Sequence, residues 1–154
     1  MTAKLMNENL DYVMSANIAR AGELLRFGLF EECRRLCQEN IEHFQSIAEP
    51  SGRQIATTAE SQAMRGECAF LSGDYAGARI NYLRAVRLAP RESVYWLRLE
   101  QICARLFKDS GDAMYDSESA AAFKNVYLLQ KKAGTTWRNG NTNSKGARDN
   151  RFCG

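Results

Sequence analysis

The stretch from Gly66 to Pro90 constrains this chain more than any other, because two apolar-periodic segments meet there at a short break, Ser72-Gly73-Asp74. Cys68, Ala69, Phe70 and Leu71 close the first segment; Tyr75, Ala78, Tyr82, Ala85 and Val86 recur at three- and four-residue steps along the second. That period places each set on one face of a helix. Gly73 can take the positive φ that a tight helix–helix turn needs, and Pro90 cannot continue a helix. The stretch therefore reads as a helical hairpin with small residues at its contacts.

The same pattern occurs earlier. Gly28, Phe30, Cys33 and Cys37 match Gly73, Tyr75, Ala78 and Tyr82 at one offset, 73 − 28 = 45, and Ala21 and Leu24 then match Gly66 and Ala69. An internal repeat of helical hairpins is the signature of a stacked solenoid. Asn40 stands where the second hairpin has Ala85, so the first hairpin is expected to close less tightly there. The surplus length falls between Gln45 and about Thr58, around the turn signal Glu49-Pro50-Ser51-Gly52. Upstream, residues 5–26 read as one or two helices.

Downstream, Ser93 to about Phe107 opens another helix, with Trp96, Leu99 and Cys103 in register. Lys108 to Asp112 reads as a loop, and Ser117 to about Lys132 as a second helix of a third repeat or a cap over the solenoid end. From Gly134 onward the periodicity stops and Gly, Asn, Thr and Arg dominate, so residues 134–154 are expected to be disordered. The expected layout is an all-α domain over 1–133, with hairpins at about 14–47 and 59–92, a partial third repeat or cap over 93–132, and the tail.

Gly66, Ala78, Ala85 and Pro90 on small-residue and proline slots, with Tyr75 and Tyr82 on aromatic ones, resemble a tetratricopeptide repeat (TPR). Trp96 and Leu99 fall on the tryptophan and leucine slots that open such a repeat. The resemblance covers about residues 14–107 and implies a right-handed superhelix of antiparallel hairpins. It assigns repeat packing to Ala21, Gly28, Cys33, Gly66, Gly73, Ala78, Tyr82, Ala85 and Pro90. It also implies a concave groove lined by the first helix of each hairpin. By register that groove carries Ser15, Ile18, Gly22 and Leu25, then Ala63, Glu67 and Phe70, then Val94, Leu97, Gln101 and Arg105. Such a lining suits a helix or an extended peptide of a protein partner. The TPR subclass that clamps a C-terminal carboxylate uses Lys, Asn and Arg. Its slots here hold Ile18, Gly22, Met64, Val94 and Arg98, and only Arg98 fits.

In layout, an N-terminal helix, a divergent first hairpin, an elongated connection and a regular hairpin resemble the start of the anaphase-promoting complex subunit seven family. That likeness implies a ubiquitin-ligase scaffold of the cell cycle and a homodimer made through N-terminal repeats. An uncovered apolar solenoid end also calls for a cover, and Leu5, Leu10, Val13 and Met14 are the expected self-association residues.

No catalytic or cofactor constellation is visible. His43 is the single histidine and has no Ser or Cys partner in a nucleophile motif. Cys33 and Cys37 lie one turn apart but lack further ligands at a zinc spacing, and the repeat places both in the core. No glycine pattern forms a phosphate loop, and Glu31-Glu32 with Arg34-Arg35 reads as a solvated helix face. The expectation is a non-enzymatic adaptor or scaffold with no metal and no cofactor. Five cysteines without a CxxC pair and no signal-peptide pattern point to a cytoplasmic or nuclear setting, and no apolar run is long enough to span a membrane.

The formal net charge is +3, with +5 of it from Lys131 onward, so the body carries 3 − 5 = −2. A basic tail with Trp137 and Phe152 raises nucleic-acid binding as an alternative; the reading favoured is a solubilising end, testable by deleting 134–154. A short TPR chaperone for extended client segments is the other alternative.

Overall fold

The structure, a computed structural model, describes residues 2–141. Among them are six helices and no strand: α1 (Ala3–Arg26), α2 (Phe30–Gln45), α3 (Gly52–Leu71), α4 (Tyr75–Leu88), α5 (Ser93–Ser110) and α6 (Ala113–Asn141). Each helix packs on the next in sequence, and α1 also packs on α3.

The turns show why the chain reverses where it does. Gly28 and Gly73 have φ of +73° and +79°. In the first turn the Gly28 amide donates to Leu25 O and the Leu29 amide to Leu24 O; in the second, Gly73 donates to Phe70 O and Asp74 to Ala69 O. Both are Schellman closures, and they match residue for residue at the offset of 45. The internal repeat is therefore a repeat of backbone hydrogen bonding as well as of residue type. After it, Asp74 caps α4 by accepting from the Gly77 amide at 2.9 Å.

Two connections are shorter than expected. The surplus around residues 45–58 is mostly helix: α3 already starts at Gly52, held by a capping box in which Ser51 and Gln54 satisfy each other's amides. The expected loop from Lys108 to Asp112 shrinks to Gly111-Asp112. Gly111 has φ +70°, and Asp112 accepts from the Met114 amide, so α6 begins four residues early. At the other end α6 continues through Gly134 to Asn141. A glycine weakens a helix without breaking its ladder, and no proline intervenes. Residues 134–141, expected to be disordered, thus end α6; residues 142–154 lie outside the described residues.

Two cores result. Ala21, Leu24, Cys33, Cys37 and Cys68 join α1, α2 and α3. Ala78, Tyr82, Ala85, Val86, Leu99, Ile102, Cys103 and Ala122 form the larger core across α4, α5 and α6. Small residues permit the close approaches: a methyl at Gly66 would fall 2.6 Å from Tyr82 Cδ2. Pro90 sits exposed just past α4, and its carbonyl accepts from Trp96 Nε1 at 2.8 Å.

Two expectations change here. Asn40 does not merely loosen the first hairpin. It is fully buried, its Nδ2 donates to Met14 O at 3.0 Å and Ser61 Oγ at 3.2 Å, and its Oδ1 accepts from Asn17 Nδ2 at 3.1 Å. One amide ties α1, α2 and α3 together. Met14, expected at a self-association surface, is 1% exposed and belongs to the core below that amide, because its position on α1 faces α2. Leu10 and Val13 are half-buried, and of the expected set Leu5 alone is exposed.

Candidate functional site

Side chains of α1, α3, α4 and α5 enclose an open cleft of about 400 Å³. Leu25 contributes from the last turn of α1. On α3 the spacing of Glu60, Ala63, Met64 and Glu67 sets four side chains on one face. On α5 the spacing of Val94, Leu97, Arg98 and Gln101 does the same, with Tyr95 beside them and Tyr82 of α4 at the base.

The expected groove is thus largely assembled. Leu25, Ala63, Glu67, Val94, Leu97 and Gln101 all line the cleft. Ser15, Ile18, Gly22, Phe70 and Arg105 do not. Ile18 lies about two turns before Leu25 on α1 and is half-buried. Phe70 lies a turn beyond Glu67, edge-on to Tyr75 at 5.5 Å and beneath the Arg98 guanidinium at 4.6 Å. Arg105 pairs with Asp109 at 3.1 Å and covers the Tyr75 ring.

The charges are arranged in a definite way. Glu67 accepts from Arg98 Nε at 3.0 Å and Arg98 Nη2 at 2.9 Å, and also from the Tyr82 hydroxyl at 2.9 Å. Arg98 Nη1 donates to Gln101 at 2.9 Å. A fork-on-carboxylate pair of this kind fixes both side chains, so Arg98 serves the wall of the cleft and is not offered to a ligand carboxylate. The network joins α3, α4 and α5. Burial, with Glu67 alongside, pushes the Tyr82 hydroxyl up, and burial with Glu60 and Glu92 pushes Tyr95 up to about 12. Both rings stay neutral walls of the cleft, and the Tyr82 hydroxyl donates to Glu67. Val94 is 66% exposed and Leu97 43%, which makes them the most open apolar side chains of the cleft.

Sequence reasoning placed Tyr82 in the packing and Arg98 in a rejected clamp, and it passed over Glu60 and Tyr95. Glu60 was findable, since it stands one turn before Ala63 and Met64 on the same face. Tyr95 was not, because the period puts it off the Val94–Leu97 line.

Nucleophile chemistry has no foothold at this cleft. His43 lies at the end of α2, which contributes nothing to the lining. Cys33, Cys37, Cys68 and Cys103 are buried free thiols. Hydrogen bonding to Cys33 and burial push Cys37 and Cys68 up, and burial beside Glu118 pushes Cys103 up to about 12. Among the described residues no group of three or more His, Cys, Asp or Glu could hold a metal ion, and no helix is long and apolar enough to cross a membrane. Compared with family models, curated proteins and solved structures, the chain matches none.

Proposed function

We propose that this chain is a TPR-type protein-interaction module, an adaptor or scaffold part of a larger assembly, which holds a helical or extended segment of a protein partner in the α1–α3–α5 cleft. The observation that carries this reading is the placement of the cleft. It opens between the first helices of three successive hairpins, where a TPR superhelix has its concave face, and two of its apolar side chains, Val94 and Leu97, stand exposed. The matched closures at Gly28 and Gly73 support the repeat reading. Within the class, the long N-terminal helix and the divergent first hairpin, with Asn40 in place of a small residue, favour the layout of anaphase-promoting complex subunit seven, and with it an intracellular scaffold role.

The Arg98–Glu67 pair argues against capture of a terminal carboxylate, since the cation is already held at two nitrogens. An apolar-anchored segment fits better, with its side chain entering between Leu25, Met64 and Leu97. The test is native purification of the tagged chain with mass-spectrometric identification, beside the double variant Val94→Asp, Leu97→Asp. A partner assembly that co-purifies with the wild type and is lost from a still-helical double variant is the expected result. Retention of the same assembly by the double variant would move the interaction away from the cleft.

A further inference from the structure

α6 buries one face and leaves the opposite one open. Ala122 and Val126 face the core at 1% and 6% exposure. On the far side Asp116, Ala120, Phe123, Tyr127 and Lys131 follow one another at three- and four-residue steps, all exposed, with Phe123 at 63% and Tyr127 at 57%. Two large rings on one open helical face are more than an ordinary surface carries singly.

The neighbouring hairpin shows what such a face does. An offset of 44 (122 − 78) lays Ala78 on Ala122 and Tyr82 on Val126, all four buried. Arg79, Leu83 and Val86 of α4 then fall on Phe123, Tyr127 and Gln130 of α6. In α4 those positions are covered by helix: Arg79 pairs with Glu118 of α6, Leu83 packs against the core, and Val86 lies in it with Leu99 and Ile102. The α6 face is therefore built like one that takes a helical cover.

The charge along α6 says which helix. On the open face Asp116 stands before the aromatic pair and Lys131 after it, so one end of the stripe is acidic and the other basic. A parallel neighbour of the same sequence would set like against like; an antiparallel one sets the acidic half against the basic half. We propose that a second copy of this chain covers the face, by antiparallel pairing of α6 with the partner's α6 about a two-fold axis between Phe123 and Tyr127. Each Phe123 then lies against the partner's Tyr127, and Ala120 lets the helices approach. Such a contact is isologous and closes at two copies. A single helix pair buries less than the roughly 1,200 Å² of a standard interface, so the dimer is micromolar in strength. It is independent of the cleft and uses a different end of the molecule from Leu5.

Sedimentation equilibrium of the full chain across the micromolar range tests this. The expected result is a monomer–dimer equilibrium whose dissociation constant rises about tenfold or more in Phe123→Glu and in Tyr127→Glu. Asp116→Lys should weaken it several-fold, added salt should weaken the wild type, and Leu5→Glu should leave it unchanged. Far-UV circular dichroism identifies any variant that misfolds, and Tyr127→Ser then replaces it. A chain that stays monomeric throughout would overturn the proposal. So would a dimer lost in Leu5→Glu but kept in Phe123→Glu. A monomer with the Phe123–Tyr127 turns protected from hydrogen exchange would instead assign the cover to residues 142–154 of the same chain.

Discussion

The first hairpin and the second share a turn but not a seam. Around Gly28 and Gly73 the backbone closes with the same two hydrogen bonds. Yet the seam of α1 and α2 with α3 runs through the amide of Asn40, Ser61 and Asn17, beside three thiols, whereas the seam of α4 with α5 and α6 is Tyr82, Val86, Leu99 and Ile102. Charged side chains sit outside the second seam: Arg79 with Glu118, and Arg98 with Glu67. A repeat therefore conserves how the chain turns and leaves open what chemistry joins the units. An apolar seam supplies stability without direction; a satisfied buried amide adds little net stability but penalises any other alignment of the three helices.

The largest way to break this comparison is Ile102→Ala. Ile102 is fully buried, and its truncation should cost about 2–5 kcal/mol of unfolding free energy in urea. Next is Asn40→Ala, which removes the amide bridge to Met14 O, Ser61 Oγ and Asn17 Nδ2 and leaves Ser61 only its bond to Thr57 O. The expected cost is about 1–3 kcal/mol, with faster amide exchange confined to α1–α3. A loss spread evenly over all six helices would show that the two seams do not act separately.

Gly28→Ala and Gly73→Ala address the shared part. Both glycines have positive φ and open space around the missing Cβ, so the strain should be alike, about 1–2 kcal/mol each. Thermal melts of the two variants should nearly coincide. A clear difference would mean that the turns are equal in geometry alone.

The smallest effect is on pH. Arg79 holds the Glu118 carboxyl below its ordinary value, the usual case of a depressed acid. Its contribution is complete above about pH 4.3 and is lost as pH falls through the lowered value. Tyr82 and Tyr95 are raised, so their contribution holds below about pH 10 and is lost as pH climbs toward the raised values. Asn40, Ser61 and Asn17 do not titrate, so Asn40→Ala removes no titrating group and should keep the same acid and alkaline limbs in urea unfolding. Glu118→Gln should flatten the acid limb.

The sequence made the hairpins legible because small residues, aromatics and turn glycines repeat at a single offset. It also indicated most of the cleft, because the register implied by the TPR resemblance sets Ala63 and Glu67 on α3 toward Leu97 and Gln101 on α5. What it concealed was pairing. Arg98 looks like a ligand-binding cation until Glu67 is seen against it, and Asn40 looks like a misfit until its three partners are in place. Met14 reads as one more apolar residue of an amphipathic helix, and only the packing of α1 on α2 separates it from Leu5. The end of α6 was hidden for a different reason: glycine and asparagine lower helix propensity without forbidding a helix.

The central claim, that the cleft between α1, α3 and α5 is a protein-binding surface, is tested most directly by selecting peptides from a random library on the purified chain. The strongest binder is then mapped by methyl NMR. The account predicts an apolar-anchored peptide whose binding shifts the methyls of Leu25, Met64, Val94 and Leu97 and leaves that of Leu128 on α6 in place. No selected peptide, or shifts that spare the four cleft methyls, would contradict it.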